Sequence, residues 1–374
     1  MTADVLDRRT LNRATLARQL LLERASMPAL DAVAHLVGLQ AQVPLNPYHA
    51  LWSRLAGFRP HDLSQAMLDR RAVRIVAMRG TIHLVTADDC LLLRSLAQPV
   101  LDAELTRHPD YGAPLRGVDL EPILDFAREV LAGPPVNNTE LRAAMAEKFP
   151  ELDAAALAYA CRCMLGLVQA PPRGVWGSRG QVKLITVESW LGRSLVADPP
   201  IDEVVMRYFA AFGPAAVADV ATWSRLTALR EVVDRLRPRL RRFRDERGRE
   251  LFDVEDAARP DPDTPAPARF LPEYDNVLLS HDDRSRFFSS DDRVRARLFG
   301  ADRKVSGSVL HDGFVCATWR MERDRDGGRV AIVVEHTDRL SEQAQSAVAA
   351  EGRRLLRFLE PDAEATDVRF AALT

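Results

Sequence analysis

The chain has 374 residues, 47% of them hydrophobic, enough to bury two or three cores, so more than one structural unit is expected. Its 51 basic and 53 acidic residues give a formal net charge of −2, which excludes a uniformly basic coat for nucleic acid; any DNA-binding face has to be local. No apolar run approaches the roughly 18 residues of a membrane helix, and the first nine residues lack the apolar stretch of an export signal, so the expected place is the cytoplasm, with no membrane partner.

Helical periodicity predicts an N-terminal helix near Leu16 and Leu20, a second through Leu30, Val33, Ala34 and Val37 that stops at Gly38, and a third through Leu63, Ala66 and Met67 behind Asp62. Residues 73–78 and 81–86 are β-branched and apolar and read as two strands around Arg79-Gly80, where glycine permits a tight turn. Helices followed by a hairpin suggest a winged helix. The pattern returns with Ile123, Ala127, Val130 and Leu131, then Leu141 and Met145 behind Asn138, then Leu157, Cys161, Met164, Leu165 and Val168, with a hairpin around Arg173-Gly174 or Arg179-Gly180. A third pass has Ile201, Val204, Val205, Tyr208 and Phe212, a break at Gly213-Pro214, a helix through Ala221, another through Leu226, Leu229, Val233 and Leu236, and strands flanking Arg247-Gly248. Residues 253–269, rich in Pro, Asp and Ala, read as a linker. Beyond it, 305–310, 314–321 and 329–334 alternate like an antiparallel sheet with turns at Asp312-Gly313 and Gly327-Gly328, and a helix over 341–359 covers it.

Cys90 and Cys316 stand alone, and Cys161 and Cys163 lie two apart where helical side chains diverge, so neither a disulfide framework nor a metal site is expected, and no cofactor. Only Lys148, Lys183 and Lys304 are lysines, a bias that points to GC-rich codons and an actinobacterium-like genome.

The link from Gly38 to Asp62 holds 23 residues, 39–61, against about 4 to 6 for an ordinary connection, and long loops are usually functional. It carries Gln40-Ala41-Gln42-Val43-Pro44. In an extended chain Gln40 and Gln42 point to the same side. Paired amides can hold a water and orient its lone pair without carrying charge. That is sufficient where the leaving group is already cationic, as a purine alkylated at N7 or N3 is. Spacing alone does not separate this reading from two glutamines that only satisfy loop backbone groups.

Other residues admit a role at DNA. Arg79, Arg173 and Arg247 sit at the three turns, Thr81 and His83 on the first hairpin, Arg284 and Arg286 after an apolar strand-like run, and Lys304 before the 305–310 strand; each has an ordinary packing or solvated-surface alternative. Between 225 and 249 there are ten arginines (225, 230, 235, 237, 239, 241, 242, 244, 247, 249) against four acids (231, 234, 245, 246), a surplus that suits a phosphate backbone or, equally, internal ion pairs such as Glu231 with Arg235. His281 with Asp282 and Asp283 is the best candidate for a hydrolase using histidine and carboxylates, but no Gly-x-Ser-x-Gly element or metal-spaced histidine pair accompanies it.

Leu11-Asn12-Arg13-Ala14, Gly38-Leu39-Gln40-Ala41-Gln42, Met78-Arg79-Gly80-Thr81-Ile82-His83-Leu84 and Leu271-Pro272-Glu273-Tyr274-Asp275-Asn276, with Asp312-Gly313-Phe314, Thr318-Trp319-Arg320 and Glu351-Gly352-Arg353, together resemble the AlkZ-type winged-helix DNA glycosylases over nearly the whole chain. The resemblance implies an α+β fold with three tandem winged-helix motifs around a concave DNA-binding surface and a C-terminal antiparallel sheet-and-helix domain. The corresponding expected bounds are 1–115, 116–198, 199–256, a linker at 257–269, and 270–374. It also implies that Gln40 and Gln42 form a catalytic Gln-x-Gln element. A related YcaQ-like branch carries Gln-x-Asp, so Gln42 points to the branch that protects antibiotic producers from their own DNA-alkylating or crosslinking product.

The expected activity is thus monofunctional excision of a cationic alkylpurine, a bulky adduct or an interstrand crosslink from double-stranded DNA by a cytoplasmic, nucleoid-associated monomer. No lysine lies near the motif to form a Schiff base with the abasic sugar. The rival is a winged-helix transcriptional regulator without turnover, since fold alone does not imply function; the glutamine-bearing link and the lack of a heptad dimerisation segment count against it.

Overall fold

The computed structural model describes residues 4–288, 292–299, 306–324, 328–337 and 340–373. The chain opens with β1 (Asp4–Leu6) and α1 (Arg8–Arg18), then α2 (Ala29–His35), β2 (Leu39–Gln40), α3 (Asn46–Arg54) and α4 (Pro60–Leu68). These lead into the paired strands β3 (Ala72–Val76) and β4 (Ile82–Thr86), followed by α5 (Ala87–Leu96) and α6 (Gln98–Arg107). A second set comprises α7 (Glu121–Ala132), β5 (Val136–Asn137), α8 (Asn138–Lys148), α9 (Ala154–Met164), the strands β6 (Leu167–Gln169) and β7 (Lys183–Thr186), and α10 (Val187–Leu191). A third has α11 (Ile201–Phe212), α12 (Val217–Ser224), α13 (Leu229–Leu236), β8 (Leu240–Asp245) and β9 (Glu250–Val254). The last part contains β10 (Arg269–Leu271), α14 (Asn276–Leu279), α15 (Asp292–Leu298), β11 (Gly307–His311), β12 (Phe314–Arg323), β13 (Arg329–His336), α16 (Glu342–Leu359) and β14 (Ala365–Ala372). The fold is α+β, and no helix among the described residues is long and apolar enough to cross a membrane.

Local chemistry accounts for many boundaries. Asn137 caps α8 in a reciprocal box with Glu140, and α13 buries Leu229, Val232, Val233 and Leu236 on one stripe. Long-range pairing does the rest. β3 joins β6 antiparallel, with Arg74 opposite Gln169, so the first two hairpins share one six-stranded sheet of order β2-β4-β3-β6-β7-β5. β1 runs parallel to β8 in a sheet of order β1-β8-β9, returning the N-terminus to the third set.

Several expectations need correction. The link between Gly38 and Asp62 is not one loop: α3 fills its centre, and because Tyr48, His49, Ala50, Leu51, Ser53 and Arg54 are all buried it shows no amphipathic stripe. α9 ends at Met164, and Val168 belongs to β6. Asp253 is no linker residue but sits in β9, fully buried, where its carboxylate takes both terminal nitrogens of Arg18 at 2.6 and 2.8 Å. The run before His281 is the helical turn α14 rather than a strand. The C-terminal sheet, of order β10-β11-β12-β13-β14, is not wholly antiparallel, because α16 carries the chain back so that β14 lies parallel to β13.

Candidate active site

Gly38 ends α2 at φ 90°, and a Cβ there would lie 2.8 Å from Val85 Cγ1, so only glycine lets the chain turn this closely onto β4. β2 then pairs antiparallel with β4, placing Gln40 opposite His83, and Ala41 N–H donates to Ile82 O at 2.7 Å. β2 ends there. The Ile82 N–H that a longer strand would have bonded instead reaches Gln42 Oε1 at 3.4 Å. The two glutamines therefore share one sheet edge but not one environment: Gln40 is 8% exposed, while Gln42 is exposed on the rim of a cavity of about 310 Å³.

Arg79 organises the buried side. One of its terminal nitrogens donates to Trp223 O of α12 at 2.9 Å. The other donates to Gln40 Oε1 at 2.6 Å and Asn276 Oδ1 at 3.2 Å, and lies 3.4 Å from His83 Nε2. A guanidinium only donates, so the carboxamide oxygen of Gln40 must face it. Asn276 Nδ2 also donates to Gly38 O at 3.0 Å, joining the C-terminal part to the start of the glutamine loop. His83 Nδ1–H donates to Thr81 O at 3.0 Å, leaving Nε2 as an acceptor toward Arg79. Burial and then the charge of Arg79 push the His83 pKa down to about 3, so the ring is neutral at working pH. Burial, with Arg225 and Arg284 nearby, lowers Arg79 to about 10, which leaves it charged.

The remaining expected residues scatter. Thr81 is half-buried, with its hydroxyl donating to Met78 O, and lines a second cavity of about 1030 Å³ together with Glu104 and Arg225. Arg173 borders the smaller cavity beside Gln42. Arg247 is exposed, 3.4 Å from Asp283, and Arg284 lies 4.3 Å over the ring of Phe299. His83 and Arg286 were expected at DNA, yet both are enclosed: His83 is 0% exposed, and Arg286 is spent on Thr15 Oγ1 and Pro214 O, each at 3.0 Å. Lys304 lies outside the described residues.

The arginine-rich stretch is partly consumed by ion pairs, with Arg235 on Asp202 rather than Glu231 and Arg237 on Asp234 and Glu250. No His281–carboxylate pair forms among the described residues. His281 Nε2 faces Phe212 O at 3.0 Å, and Asp283 caps Ser285 N.

Sequence reasoning passed over Arg74, Glu104 and the true partners of Asn276. For Arg74 a signal existed, a lone charge inside the apolar run Ala72–Val76.

The family described as DNA glycosylase AlkZ-like matches residues 33–358, which include both glutamines. The chain belongs to the AlkZ-like DNA glycosylase family. Streptomyces sahachiroi DNA glycosylase AlkZ has a similar fold, with a TM-score of 0.72 at 21% identity, over 99% of this chain and 100% of that one. A search of curated proteins finds no match. In this glycosylase the Leu271–Asn276 motif does structural work beside the site: Asp275 takes both terminal nitrogens of the buried Arg54 at 2.7 and 2.8 Å, and Asn276 holds Gly38 and Arg79.

Proposed function

We propose that this DNA glycosylase hydrolyses the N-glycosidic bond of cationic alkylpurines in duplex DNA, N7-alkylguanine above all, with bulky adducts and interstrand crosslinks as natural targets. The observation that carries this reading is the lack of a proton donor at the glutamines. Their described side-chain partners are Arg79 and the Ile82 N–H, and His83, opposite Gln40 in the β2–β4 ladder, is neutral with its one N–H already donated to Thr81 O. A neutral purine leaves only when protonated, whereas an N7-alkylpurine departs as a neutral base without help.

What is left for the protein is to place water and stabilise positive charge on the sugar. Gln42, exposed and only weakly bonded, is the acceptor for that water. Gln40, with its oxygen committed to Arg79, positions the loop. Among the described lysines neither offers an amine for lyase chemistry: Lys183 lies between the cavity-lining Val182 and Leu184 and so projects from the other face of β7, and Lys148 rests on the ring of Phe126 at 5.7 Å.

The three helix-plus-hairpin sets read as tandem winged helices offering a concave face to DNA, and the enzyme acts as a monomer. Gln42, where the related branch has aspartate, favours self-resistance to a DNA-alkylating natural product as the biological role.

The test is an incubation of duplexes carrying N7-methylguanine or, separately, hypoxanthine at one position, followed by heat and alkali. Release of the cationic base alone is expected, with Gln42→Ala slower by about 10²-fold, the usual cost of one transition-state contact, and no strand break before alkali. Equal release of hypoxanthine would require a general acid and overturn the reading; breaks without alkali would overturn the monofunctional assignment.

A further inference from the structure

Where β3 meets β6, between the first and second hairpins, the cavity beside Gln42 is lined by Arg74, Arg94, Arg162 and Arg173, with no carboxylate among the described residues that line it. Arg94 has an ordinary explanation, since it caps the end of α9 by donating to Cys163 O and Leu165 O at 2.7 and 3.0 Å. Arg74 does not. It is 2% exposed and gives one terminal nitrogen to Ala41 O at 2.8 Å, the carbonyl between the two glutamines, but its Nε and Nη1 have no hydrogen-bond partner among the described residues. Nε of Arg173 is likewise buried and without a partner. Gly174 (φ 89°) makes the room: a Cβ there would stand 2.7 Å from Arg74 Cδ. A buried cation with spare donors and no counter-ion is costly unless an anion completes it.

We propose that this cavity is a phosphodiester-binding site, in which Arg74 and Arg173 clamp one phosphate of the DNA backbone, with Arg162 at the exposed side, and so set the neighbouring sugar against Gln42. That the clamped phosphate flanks the target nucleotide rests on the glycosylase reading above; the anion site itself does not. At about 310 Å³ the cavity is at the small end of ligand pockets, which run from about 300 to 1,000 Å³, and its charge repels a cationic base, so it holds backbone while the alkylated purine stays outside. The bond from Arg74 to Ala41 O ties occupancy of the clamp to the position of the glutamine loop.

The test measures binding of a duplex containing a tetrahydrofuran abasic analogue by fluorescence anisotropy, with each phosphate near the analogue replaced in turn by an uncharged methylphosphonate. For the wild type, one replacement should weaken binding roughly tenfold, as loss of a charge-assisted contact does. Arg74→Lys and Arg173→Gln should each bind the unmodified backbone more weakly, ignore that one replacement, and show a salt slope shallower by about 1. Arg173 lies on a half-exposed connection, so its variant carries the test if the Arg74 variant fails to fold. Identical responses of wild type and variants at every phosphate, with equal salt slopes, would overturn the proposal. Binding needs no excision, so the two readings fail separately. The phosphate response without release of N7-methylguanine would keep the clamp and remove the substrate assignment; release without the response would do the reverse.

Discussion

His49, His83 and His281 are all fully buried, and burial is the main cause that lowers each pKa to about 3. An unfolded histidine titrates near 6.5, so below that pH the unfolded chain binds protons that the folded chain refuses, and stability is lost as pH falls through 6.5. At pH 5 the unfolded imidazole has gained about 1.5 pK units of protonation, or about 2 kcal/mol, and the folded one almost nothing. Raising the folded value by a whole unit leaves this figure nearly unchanged, because pH 5 would still lie above it. Three such groups together cost about 6 kcal/mol, comparable with the roughly 5 to 15 kcal/mol that holds a native protein together. Carboxylates whose pKa is lowered, such as Asp283 and Asp312, also lose stability as pH falls, but in a window below the usual carboxylate range of about 4. The interval from pH 7 to 5 therefore isolates the histidines.

Urea unfolding followed by circular dichroism at pH 7 and pH 5 reads this loss directly, and His83→Gln should shrink it by about 2 kcal/mol, the share of one group. A difference below about 1 kcal/mol between the two pH values would mean that the folded histidines do take up protons. His83 would then be a proton donor beside Gln40, and the case for a leaving group that needs none would fall with it.

Glu104 is the carboxylate of the larger cavity, where it accepts the Tyr159 hydroxyl proton at 2.6 Å and stands close to Gly80 at the first hairpin turn. Glu104→Gln should retain excision of N7-methylguanine within about threefold; a loss of about 10²-fold or more, typical of a missing general base, would move water activation from Gln42 to Glu104. Asp275→Asn strands Arg54, 1% exposed, without its counter-charge, at an expected cost of about 3 to 5 kcal/mol. In differential scanning calorimetry that should lower Tm by about 4 to 6 °C, and a change under about 2 °C would show that the pair contributes little.

What could be read in the sequence was what is decided locally. The β3–β4 hairpin follows from β-branched residues on either side of Arg79-Gly80, and the extended start after Gly38 from a glycine helix stop followed by the approach to Pro44. α3 was illegible because buried polar residues on every side erase the periodicity that marks a helix at a surface. Partners distant in sequence were illegible too: the β1–β8 ladder joins residues about 240 apart, and nothing near Arg286 announces Thr15 and Pro214 as its acceptors. Arg79 shows the same limit at the site. A turn arginine is plausibly a phosphate contact until Gln40, Trp223 and Asn276, from three separate segments, close around it.

The stretches that carried the family resemblance mostly fasten parts together. Asn12 donates to Arg286 O and Gly313 O, and Arg13 bonds Asp312, so α1 is locked to the turn between β11 and β12. Arg24, just beyond α1, reaches Glu351 of α16, and Asp275 and Asn276 grip Arg54, Gly38 and Arg79. Both ends of the glutamine segment are thereby held from outside the first set of elements: Gly38 by Asn276 ahead of it, and Arg54 by Asp275 behind it. An exposed polar side chain such as Gln42 gains orientation only from the backbone that carries it, because its own bond to Ile82 is too long to fix it. The start of α14 and the residue before it therefore steady the backbone that carries Gln42, even though no described residue of the C-terminal part lines the Gln42 cavity.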